Sequence, residues 1–349
     1  MTTRPSQCDV DSITNGPVLS DSTVRVFGVL LTYHRQVLFT EMLRKICAQQ
    51  RVPDCLVVVD NEASDETEDI SRRFQESCPE SHWVHLRSPE NLGSAGGWAW
   101  GMETVLDLAN DRDWVLTLDD DNPPEHEGLF QQMFAFAETQ KEREPKLGAV
   151  GIVGARFNWR TGNLVRLHDE ELKGPVSVDY LGNGHMAMYS VGMIRDIGPF
   201  RRELFFGHTE VEFGLRMRRA GYQALANGDL WKQRRVRRNK IGFQPKPRKT
   251  CEVHWRKYYV TRNYIRTMVC FGRPDLALKR AFLQVVAKPL VTMLVSPRRA
   301  YYGWRLGCRA AWDGFRGNMG ATLDPESDAL LLKWNQHIGD GTVPDEQSR

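Results

Sequence analysis

Short apolar runs alternate with amphipathic segments through the first half of the 349-residue chain. The apolar runs have the length of buried strands and fall at 24–32, 56–60, 83–86, 114–118 and 149–153. Between them, helical segments are predicted at 37–50, from Asp65 towards Cys78, at 98–108 and at 128–139. Asp65 and Glu68 have the spacing of an N-cap residue and its capping-box partner. Strands alternating with helices predict an α/β fold with a mainly parallel sheet flanked by helices.

The pattern loosens after about residue 155. Residues 186–193 are typical of a buried strand leading into a turn, residues 211–221 of a helix capped by Gly221, and residues 254–317 of a helical segment. The chain is therefore predicted to comprise a flexible arm, an α/β domain, a basic loop, a helical C-terminal subdomain and a tail, at 1–21, 22–231, 232–250, 251–320 and 321–349.

Polar side chains follow three of the predicted strands. They are Thr32 to Arg35, Asp60 with Asn61, and Asp119-Asp120-Asp121. Ligands bind outside the carboxyl ends of the strands in such sheets. Three adjacent carboxylates repel one another, and a bound divalent cation would offset this repulsion. An acidic turn before a helix at Pro123 is the alternative, and the convergence of polar strand ends favours the metal site.

A glycine-rich segment, Asn91 to Trp98, lies between the third strand and the following helix and contains Gly93, Gly96 and Gly97. Glycines here permit close backbone approach, and the free N–H groups of a helix N-terminus attract an anion. The segment could therefore contact a phosphate or a nucleotide sugar, although a tight strand-to-helix turn needs the same residues. Its spacing is neither the Rossmann fingerprint nor a P-loop.

Two carboxylates, Glu210 and Glu212, stand at the start of the helix at 211–221. The helix dipole favours acids at this position whatever their function. A partly enclosed carboxylate with a raised pKa could instead take a proton from an attacking hydroxyl. Spacing alone does not choose between the two residues.

Cysteine usage and hydropathy indicate a cytoplasmic protein. The seven cysteines are widely spaced and form no Cys-x-x-Cys pair, which favours a reducing compartment without structural zinc. Residues 1–21 lack the apolar core of a signal peptide, and no run of 18 residues has membrane-like apolarity.

Nine basic residues and no acidic one stand between Lys232 and Lys249: Lys232, Arg234, Arg235, Arg237, Arg238, Lys240, Lys246, Arg248 and Lys249. The simplest interpretation is a solvated loop, and Pro245 and Pro247 argue against a continuous helix. Functionally, the segment could bind an anionic acceptor or an anionic membrane surface, and no nucleic-acid recognition fold accompanies it. Residues 276–294 and 297–317 mix aromatic and apolar residues with Lys and Arg, as helices at a membrane interface do. Peripheral membrane contact and a simple helical cap both remain open.

Taken together, these segments resemble family 2 inverting glycosyltransferases of the GT-A fold, and within that family the galactofuranosyltransferases of cell-wall galactan assembly and related rhamnosyltransferases. The resemblance rests on six segments in the family's order: Val29 to Arg35, Val57 to Asn61, Asn91 to Gly97, Leu118 to Asn122, Glu210 to Arg216 and Tyr258 to Asn263. Residues 22–231 would then be the catalytic domain.

The resemblance implies a donor site and a metal site. Thr32 and Arg35 would hold the donor nucleotide, and Asp60 its base or ribose. The Asp119 to Asp121 triplet matches the family's Asp-x-Asp, which holds the donor pyrophosphate through Mg²⁺ or Mn²⁺. Asp121 would be the main metal ligand, with Asp119 as a second ligand or a contact to ribose or sugar. The remaining residues expected at the donor are Asn91, Gly93, Gly96, Gly97 and Asp120.

The resemblance also implies an acceptor site. Glu210 matches the catalytic base and would deprotonate the acceptor hydroxyl as it attacks the anomeric carbon, with inversion and without a covalent intermediate. Glu212, Arg216 and His208 would orient the acceptor or one another. Thr209 stands where relatives often have an acid. The segment 225–231 ends in tryptophan where many have a metal-binding histidine, so His254 is the substitute candidate.

The implied donors are UDP-galactofuranose and dTDP-rhamnose. The implied acceptors are a glycan, a polyprenyl-diphosphate-linked glycan or a small hydroxyl-bearing metabolite. A silent nucleotide-sugar-binding protein of the same fold is the remaining alternative.

Overall fold

The structure is a computed structural model that describes residues 23–242 and 250–339. These residues divide into two compact units, the first comprising 23–202 and 210–242 and the second 203–209 and 250–339. The first unit thus runs beyond residue 231, the predicted end of the α/β domain. The predicted arm at 1–21, residues 243–249 of the predicted basic loop and residues 340–349 of the predicted tail lie outside the described residues.

The first unit opens with strands and helices in strict alternation. In chain order these are β1 (Val26–Thr32), α1 (Gln36–Cys47), β2 (Cys55–Asp60), α2 (Asp65–Ser77), β3 (His82–Arg87), α3 (Gly93–Leu108), β4 (Trp114–Asp119), α4 (Leu129–Arg143) and β5 (Leu147–Gly151). Each strand overlaps the apolar run from which it was predicted, and β5 begins and ends two residues earlier than predicted.

The rest of the first unit has shorter elements. They are β6 (Gly154–Asn158), β7 (Asn163–Val165), β8 (Pro175–Val178), β9 (Tyr180–Leu181), β10 (Met188–Ser190), α5 (Val191–Ile197), α6 (Thr209–Arg219), β11 (Gln223–Asn227) and α7 (Gly228–Arg237), with a 3-10 turn at Asn183–His185. The first residue of α6 is assigned to the second unit.

Eight of these strands form one sheet in the order β3-β2-β1-β4-β10-β5-β11-β8. The pairs β3/β2, β2/β1, β1/β4 and β5/β11 are parallel, whereas β10 is antiparallel to β4 and β5, and β8 to β11. A smaller sheet contains β7, β6 and β9. The predicted fold class, a mainly parallel sheet flanked by helices with a helical C-terminal region, is confirmed.

The core of the first unit is the sheet packed against its helices. The middle residues of β1 and β2, such as Val29 and Val58, are fully buried, as parallel strands covered on both faces require. Helix α3 lies close to both strands: a Cβ atom at Gly97 would collide with Leu31 of β1, and one at Gly101 would collide with Val29 of β1 and lie 3.2 Å from Val59 of β2. These glycines therefore set the distance between helix and sheet.

The second unit is helical. It contains α8 (Trp255–Cys270), α9 (Pro274–Phe282), a π-helical turn (Leu283–Ala287), α10 (Lys288–Met293), α11 (Pro297–Arg316) and α12 (Ala329–Gly339). Tyr258 and Tyr259 of α8 pack with Leu306 and Leu323 in its core. The buried Arg262 donates hydrogen bonds to the carbonyls of Leu204 and Gly320 and to a threonine hydroxyl, which fixes these loops to α8.

Four local predictions need correction. The N-cap of α2 is Ser64, whose side chain accepts the N–H of Thr67, and Asp65 is the first helical residue. Within 186–193 the strand is shorter than predicted and α5 follows it directly. Residues 232–237, predicted as loop, are helical because α7 begins at an Asn227 N-cap. Residues 329–339, predicted as tail, form α12.

Candidate functional site

The polar ends of three parallel strands meet at one edge of the large sheet. Thr32, the last residue of β1, is in register with Asp60 of β2, and Leu31 is in register with Asp119 of β4. Strands β2, β1 and β4 are neighbours and parallel, so their carboxyl ends lie side by side. The sheet therefore brings together the three polar clusters that the sequence places at strand ends.

Asp120 is the structural member of the aspartate triplet. It is 2% exposed, and its two carboxylate oxygens accept hydrogen bonds from Thr32 Oγ1 at 2.9 Å and from Arg35 Nη1 at 3.0 Å. The same Arg35 nitrogen lies 3.0 Å from Asp121 Oδ2. Thr32 and Arg35, predicted to hold the donor nucleotide, thus hold the aspartate loop in this structure.

Asp119 and Asp121 keep carboxylate oxygens free for a cation. One ligand atom from each of the three aspartates can be chosen so that all lie within 4.8 Å of one another. Burial, followed by repulsion from Asp121 and Asp120, raises the pKa of Asp119 to about 7. Asp121 is exposed. A cation bound between Asp119 and Asp121 would offset this repulsion, and oxygen ligands suit Mg²⁺ and Mn²⁺.

Asp60 shapes its own loop. It is fully buried, and its two oxygens accept the backbone N–H groups of Glu62 at 3.0 Å and Ser64 at 2.8 Å. Burial raises its pKa despite these bonds. The structure therefore gives Asp60 a role in supporting its loop, and its contact to the base or ribose of the donor stays a prediction.

The glycine-rich segment is the first turn of α3 and not a separate loop. Gly93 has a left-handed φ of 67°, and its N–H is accepted by the side chain of Asn91 at 2.8 Å. A Cβ atom at Gly96 would collide with Leu92. Close packing and a tight turn are sufficient to explain these residues, and their contact with the donor stays a prediction.

Glu210 and Glu212 have different surroundings although both lie in the first turn of α6. Glu212 is 1% exposed, and its carboxylate accepts hydrogen bonds from Arg216 Nε at 3.1 Å and Arg216 Nη2 at 3.2 Å. It also forms an ion pair with Arg201, whose Nε lies 3.1 Å from Glu212 Oε1. Arg216 also donates to the carbonyls of residues 197, 198 and 199. Glu212 and Arg216 therefore hold the end of α5 and its loop, which is a structural role.

Glu210 is partly exposed, and the described part of the chain offers it no salt-bridge partner. Burial raises its pKa above the ordinary value of a glutamate. Its negative charge also raises the pKa of Asp119, of Tyr180 and of Tyr189, so Glu210 lies near all three. An unpaired carboxylate with a raised pKa beside the aspartate triplet can accept a proton.

The two histidines predicted for the site belong to the second unit. His208 has a left-handed φ of 64°, its ring centroid lies 5.3 Å from that of Tyr264, and burial lowers its pKa to about 3. His254 is the N-cap of α8, where its Nδ1 accepts the N–H of Arg256 at 3.1 Å. Among the described residues, the cluster of side chains that could hold a metal ion consists of the three aspartates. His254 is not part of that cluster.

A network behind the aspartate loop was missed from the sequence. Asn122 accepts hydrogen bonds from Arg234 at 2.7 Å and from Arg238 at 2.8 Å, and its amide lies 2.8 Å from His185 Nδ1. Glu125 forms ion pairs with both arginines. Arg234 of α7 and its C-cap residue Arg238 thus hold the loop that follows Asp121 in place. The sequence does show an Asn-Pro-Pro-Glu turn directly after the three aspartates. Nothing in the sequence, however, indicates that this turn contacts α7, which lies over 100 residues further along the chain.

Within the described residues, no helix combines the length and apolarity needed to span a membrane.

Residues 29–198 match the family model described as Glycosyl transferase family 2. Over 208 residues the chain is 30% identical to galactofuranosyltransferase GlfT1 of Mycobacterium tuberculosis, covering 57% of this chain and 66% of the relative. It is 28% identical to galactofuranosyltransferase GlfT1 of Mycolicibacterium smegmatis, covering 56% and 66%. The match thus spans slightly less than two thirds of the relatives' own length.

Two solved structures are similar at low identity. One is the mannosyltransferase PcManGT of Pyrobaculum calidifontis in complex with GDP-Man and Mn²⁺, with a TM-score of 0.49, 19% identity and coverage of 90% of this chain and 80% of that one. The other is residues 1–349 of TarS of S. aureus, with a TM-score of 0.48, 14% identity and coverage of 90% and 92%. The family model and the GlfT1 relatives, and not these two structures, support a glycosyltransferase family 2 domain in this chain.

Proposed function

We propose that the protein is a metal-dependent inverting glycosyltransferase that moves a sugar from a nucleoside diphosphate to an acceptor hydroxyl. The observation that carries this proposal is the juxtaposition of Glu210 with the aspartate triplet at the carboxyl edge of the sheet. The triplet supplies carboxylates for a cation, and Glu210 supplies a proton acceptor that no salt bridge engages among the described residues. Both features are needed for transfer, and a protein that only binds nucleotide sugars has no need of the second.

Asp119 and Asp121 would hold the Mg²⁺ or Mn²⁺ ion, because Arg35 and Thr32 already engage both oxygens of Asp120. When bound, the ion would supply positive charge that stabilises the departing diphosphate. Arg35 positions the loop through Asp120 and Asp121. The glycine at position 184 leaves room beside Asp119, since a Cβ atom there would lie 3.3 Å from Asp119 Oδ2.

Glu210 would act as the base. Burial raises its pKa, which makes it a better proton acceptor than an ordinary solvated carboxylate. It would take the proton of the acceptor hydroxyl as that oxygen attacks the anomeric carbon. The bond from the anomeric carbon to the diphosphate oxygen breaks as the new glycosidic bond forms on the opposite face, which inverts the configuration.

Galactofuranose is the first sugar to test, because both relatives are galactofuranosyltransferases by name. UDP-galactofuranose is therefore the proposed donor, with dTDP-rhamnose second. The proposed acceptor is a hydroxyl of a glycan or of a polyprenyl-diphosphate-linked glycan, with a small metabolite as the alternative.

The test incubates the purified protein with Mn²⁺ or Mg²⁺, a panel of nucleotide sugars and candidate acceptors, and follows release of the nucleoside diphosphate. Asp121→Ala and Glu210→Ala are expected to abolish transfer while the protein stays folded. Glu103→Ala, which removes an exposed carboxylate paired with Arg202, is the matched control and should keep wild-type turnover. Turnover that persists in Glu210→Ala would rule out the assigned base.

We also propose that the helical unit contacts a membrane surface peripherally. Several apolar side chains of α9, α10 and the segment after α10 are largely exposed: Leu278 at 60%, Phe282 at 60%, Leu290 at 65%, Leu294 at 88% and Val295 at 68%. Eight basic residues and one acid, the buried Asp313, lie between Leu276 and Gly317. Exposed apolar residues among cations suit an anionic lipid surface.

Sedimentation with phosphatidylglycerol vesicles tests this contact. Wild-type protein should sediment with these vesicles and much less with phosphatidylcholine vesicles, and the double variant Leu290→Ser, Leu294→Ser should stay in solution. Val37→Ser is the control, because Val37 is an 84% exposed apolar residue of the first unit. Equal sedimentation of the double variant and the wild type would contradict the assignment.

A further inference from the structure

A cavity of about 430 Å³ in the first unit combines a basic with an apolar lining. Its basic side chains are Arg166, Arg234, Arg235, Arg238 and Lys240. Val153, Ala155, Leu164 and Tyr180 contribute its apolar part. His185, which also lines it, belongs to the 3-10 turn whose Gly184 lies against Asp119. The cavity is therefore lined by the same turn that lies against Asp119.

The positive charge of the cavity is only partly compensated. In the part of the chain that the structure describes, two carboxylates pair with its five cations. Glu125 pairs with Arg234 and Arg238, and Asp169 with Arg166 and Arg235. Lys240 has no carboxylate within ion-pair distance among the described residues. An excess of cations in a concave site is the arrangement that attracts an anion.

Arg234 shows the effect of this excess. It is 4% exposed, and its Nη1 lies 2.8 Å from Glu125 but without hydrogen-bond geometry. Burial lowers its pKa to about 10, and the neighbouring Arg238 and Arg237 act in the same direction, against Glu125. The pKa of His185 is lowered in the same way, to about 4, first by burial and then by the charges of Arg234 and Arg238. A further anion would relieve this repulsion.

We propose that this cavity binds a phosphate or diphosphate ester carried by the acceptor. The inference rests on the proposed function, because there the aspartates and their cation take the diphosphate of the donor. A second anion site beside them is then available to the other substrate. Arginine and lysine side chains match phosphate oxygens, and the apolar lining suits the organic part of the ester. An acceptor with a lipid-linked phosphate has both features.

Calorimetric titration tests the site without any transfer. Inorganic pyrophosphate and farnesyl diphosphate are titrated into the full chain in EDTA, so that metal-dependent binding at the aspartates does not contribute. Wild-type protein should bind both, and farnesyl diphosphate more tightly. Lys240→Glu should weaken binding at least about tenfold, as loss of a charge-assisted contact does. Lys232→Glu is the matched control, because Lys232 is exposed on α7 and does not line the cavity.

Three outcomes would overturn the proposal. The first is no binding of either probe at millimolar concentration, and the second is equal weakening by Lys232→Glu and Lys240→Glu, which would indicate a general charge effect. The third is displacement of farnesyl diphosphate by UDP in EDTA, which would assign the cavity to the donor. UDP binding with Mn²⁺ should be unchanged in Lys240→Glu. If no sugar transfer is found but the probes still bind in EDTA, the proposed function fails while the anion site stands.

Discussion

Exchanging Glu210 or Glu212 for glutamine should have opposite effects on stability and activity. The two residues lie two positions apart in one helical turn, and the substitution is the same. Glu212 is engaged by Arg216 and Arg201, whereas Glu210 has no ion pair among the described residues. Glu212→Gln should therefore destabilise the fold, and Glu210→Gln should abolish transfer without destabilising it.

The magnitude for Glu212 follows from its partners. Breaking a buried ion pair by removing one partner costs about 3 to 5 kcal/mol, because the other charge stays buried. Here Arg216 keeps three carbonyl acceptors, and Arg201 is 40% exposed and can be hydrated. The expected cost is therefore at the lower end, about 3 kcal/mol. At about 2 to 4 °C per kcal/mol, Tm should fall by about 6 to 12 °C.

Glu210 behaves differently because burial raises its pKa. A folded-state pKa above the unfolded value means that the group favours the folded state at low pH, and this advantage is lost as pH rises through the folded pKa. Burying the Glu210 carboxyl group therefore lowers stability at pH 7 relative to pH 4, and the neutral glutamine removes this effect. Glu210→Gln should melt at or above the wild-type temperature at pH 7, with a smaller difference at pH 4.

Thermal melts followed by circular dichroism at both pH values, with turnover measured on the same preparations, test the pair. Glu212→Gln should keep measurable turnover at temperatures where it is folded, since its side chain does not face the reacting groups in this scheme. The reasoning is refuted if Glu212→Gln melts within 2 °C of wild type, well below the drop of about 6 °C expected at minimum. It is equally refuted if Glu210→Gln melts markedly lower at pH 7.

Three further outcomes are expected. Asp121→Asn should abolish Mn²⁺-dependent UDP binding in calorimetry, because it removes the exposed carboxylate of the candidate metal site, and wild-type affinity would exclude it as a ligand. The pH profile of kcat/KM should fall on the acid side with a pKa above 4.5, the ordinary value for glutamate, and a limb at or below it would contradict Glu210 as the base. The pKa of His185 is lowered from 6.5 to about 4, so its contribution to stability is present above pH 6.5 and lost as pH falls to 4. At about 1.4 kcal/mol per pKa unit, this contribution to the free energy of unfolding is about 3 kcal/mol. In urea unfolding, His185→Gln should therefore lose about 3 kcal/mol less than the wild type when the pH is lowered from 6.5 to 4.

Local pattern was enough to predict the parallel half of the sheet. Strands β1, β2 and β4 are largely continuous apolar runs, and each strand from β1 to β4 is followed by a helix, so parallel neighbours with adjacent carboxyl ends follow from the connection rules. The antiparallel insertion of β10 between β4 and β5 could not be predicted, because a three-residue strand has no distinctive periodicity. The small sheet was also missed, since two of its three strands, β7 and β9, are as short or shorter.

The site was predictable where chemistry is local and not where partners are distant. The aspartate triplet and Glu210 stand out by residue type and position in the sequence. The difference between Asp120, which is hydrogen-bonded within the protein, and its two neighbours depends on Thr32 and Arg35. These two residues reach Asp120 from the end of another strand. The family resemblance assigned Glu210 as the base, but the structural role of Glu212 depends on Arg201, whose approach to Glu212 no spacing rule reveals.

The high density of charge in the basic segment 232–249 led to its interpretation as a solvated loop, which is not correct for all of its residues. A run of cations is usually solvated, yet Arg234 and Arg235 are 4% and 7% exposed. Their burial is possible because Asn122, Glu125 and Asp169 accept their guanidinium groups. Since Asn122 directly follows the aspartate triplet, Arg234 couples the position of that loop to α7. An anion bound beside Arg234 would consequently act on the candidate metal site through Asn122, which would link occupation of the proposed acceptor cavity to the geometry of the proposed donor site.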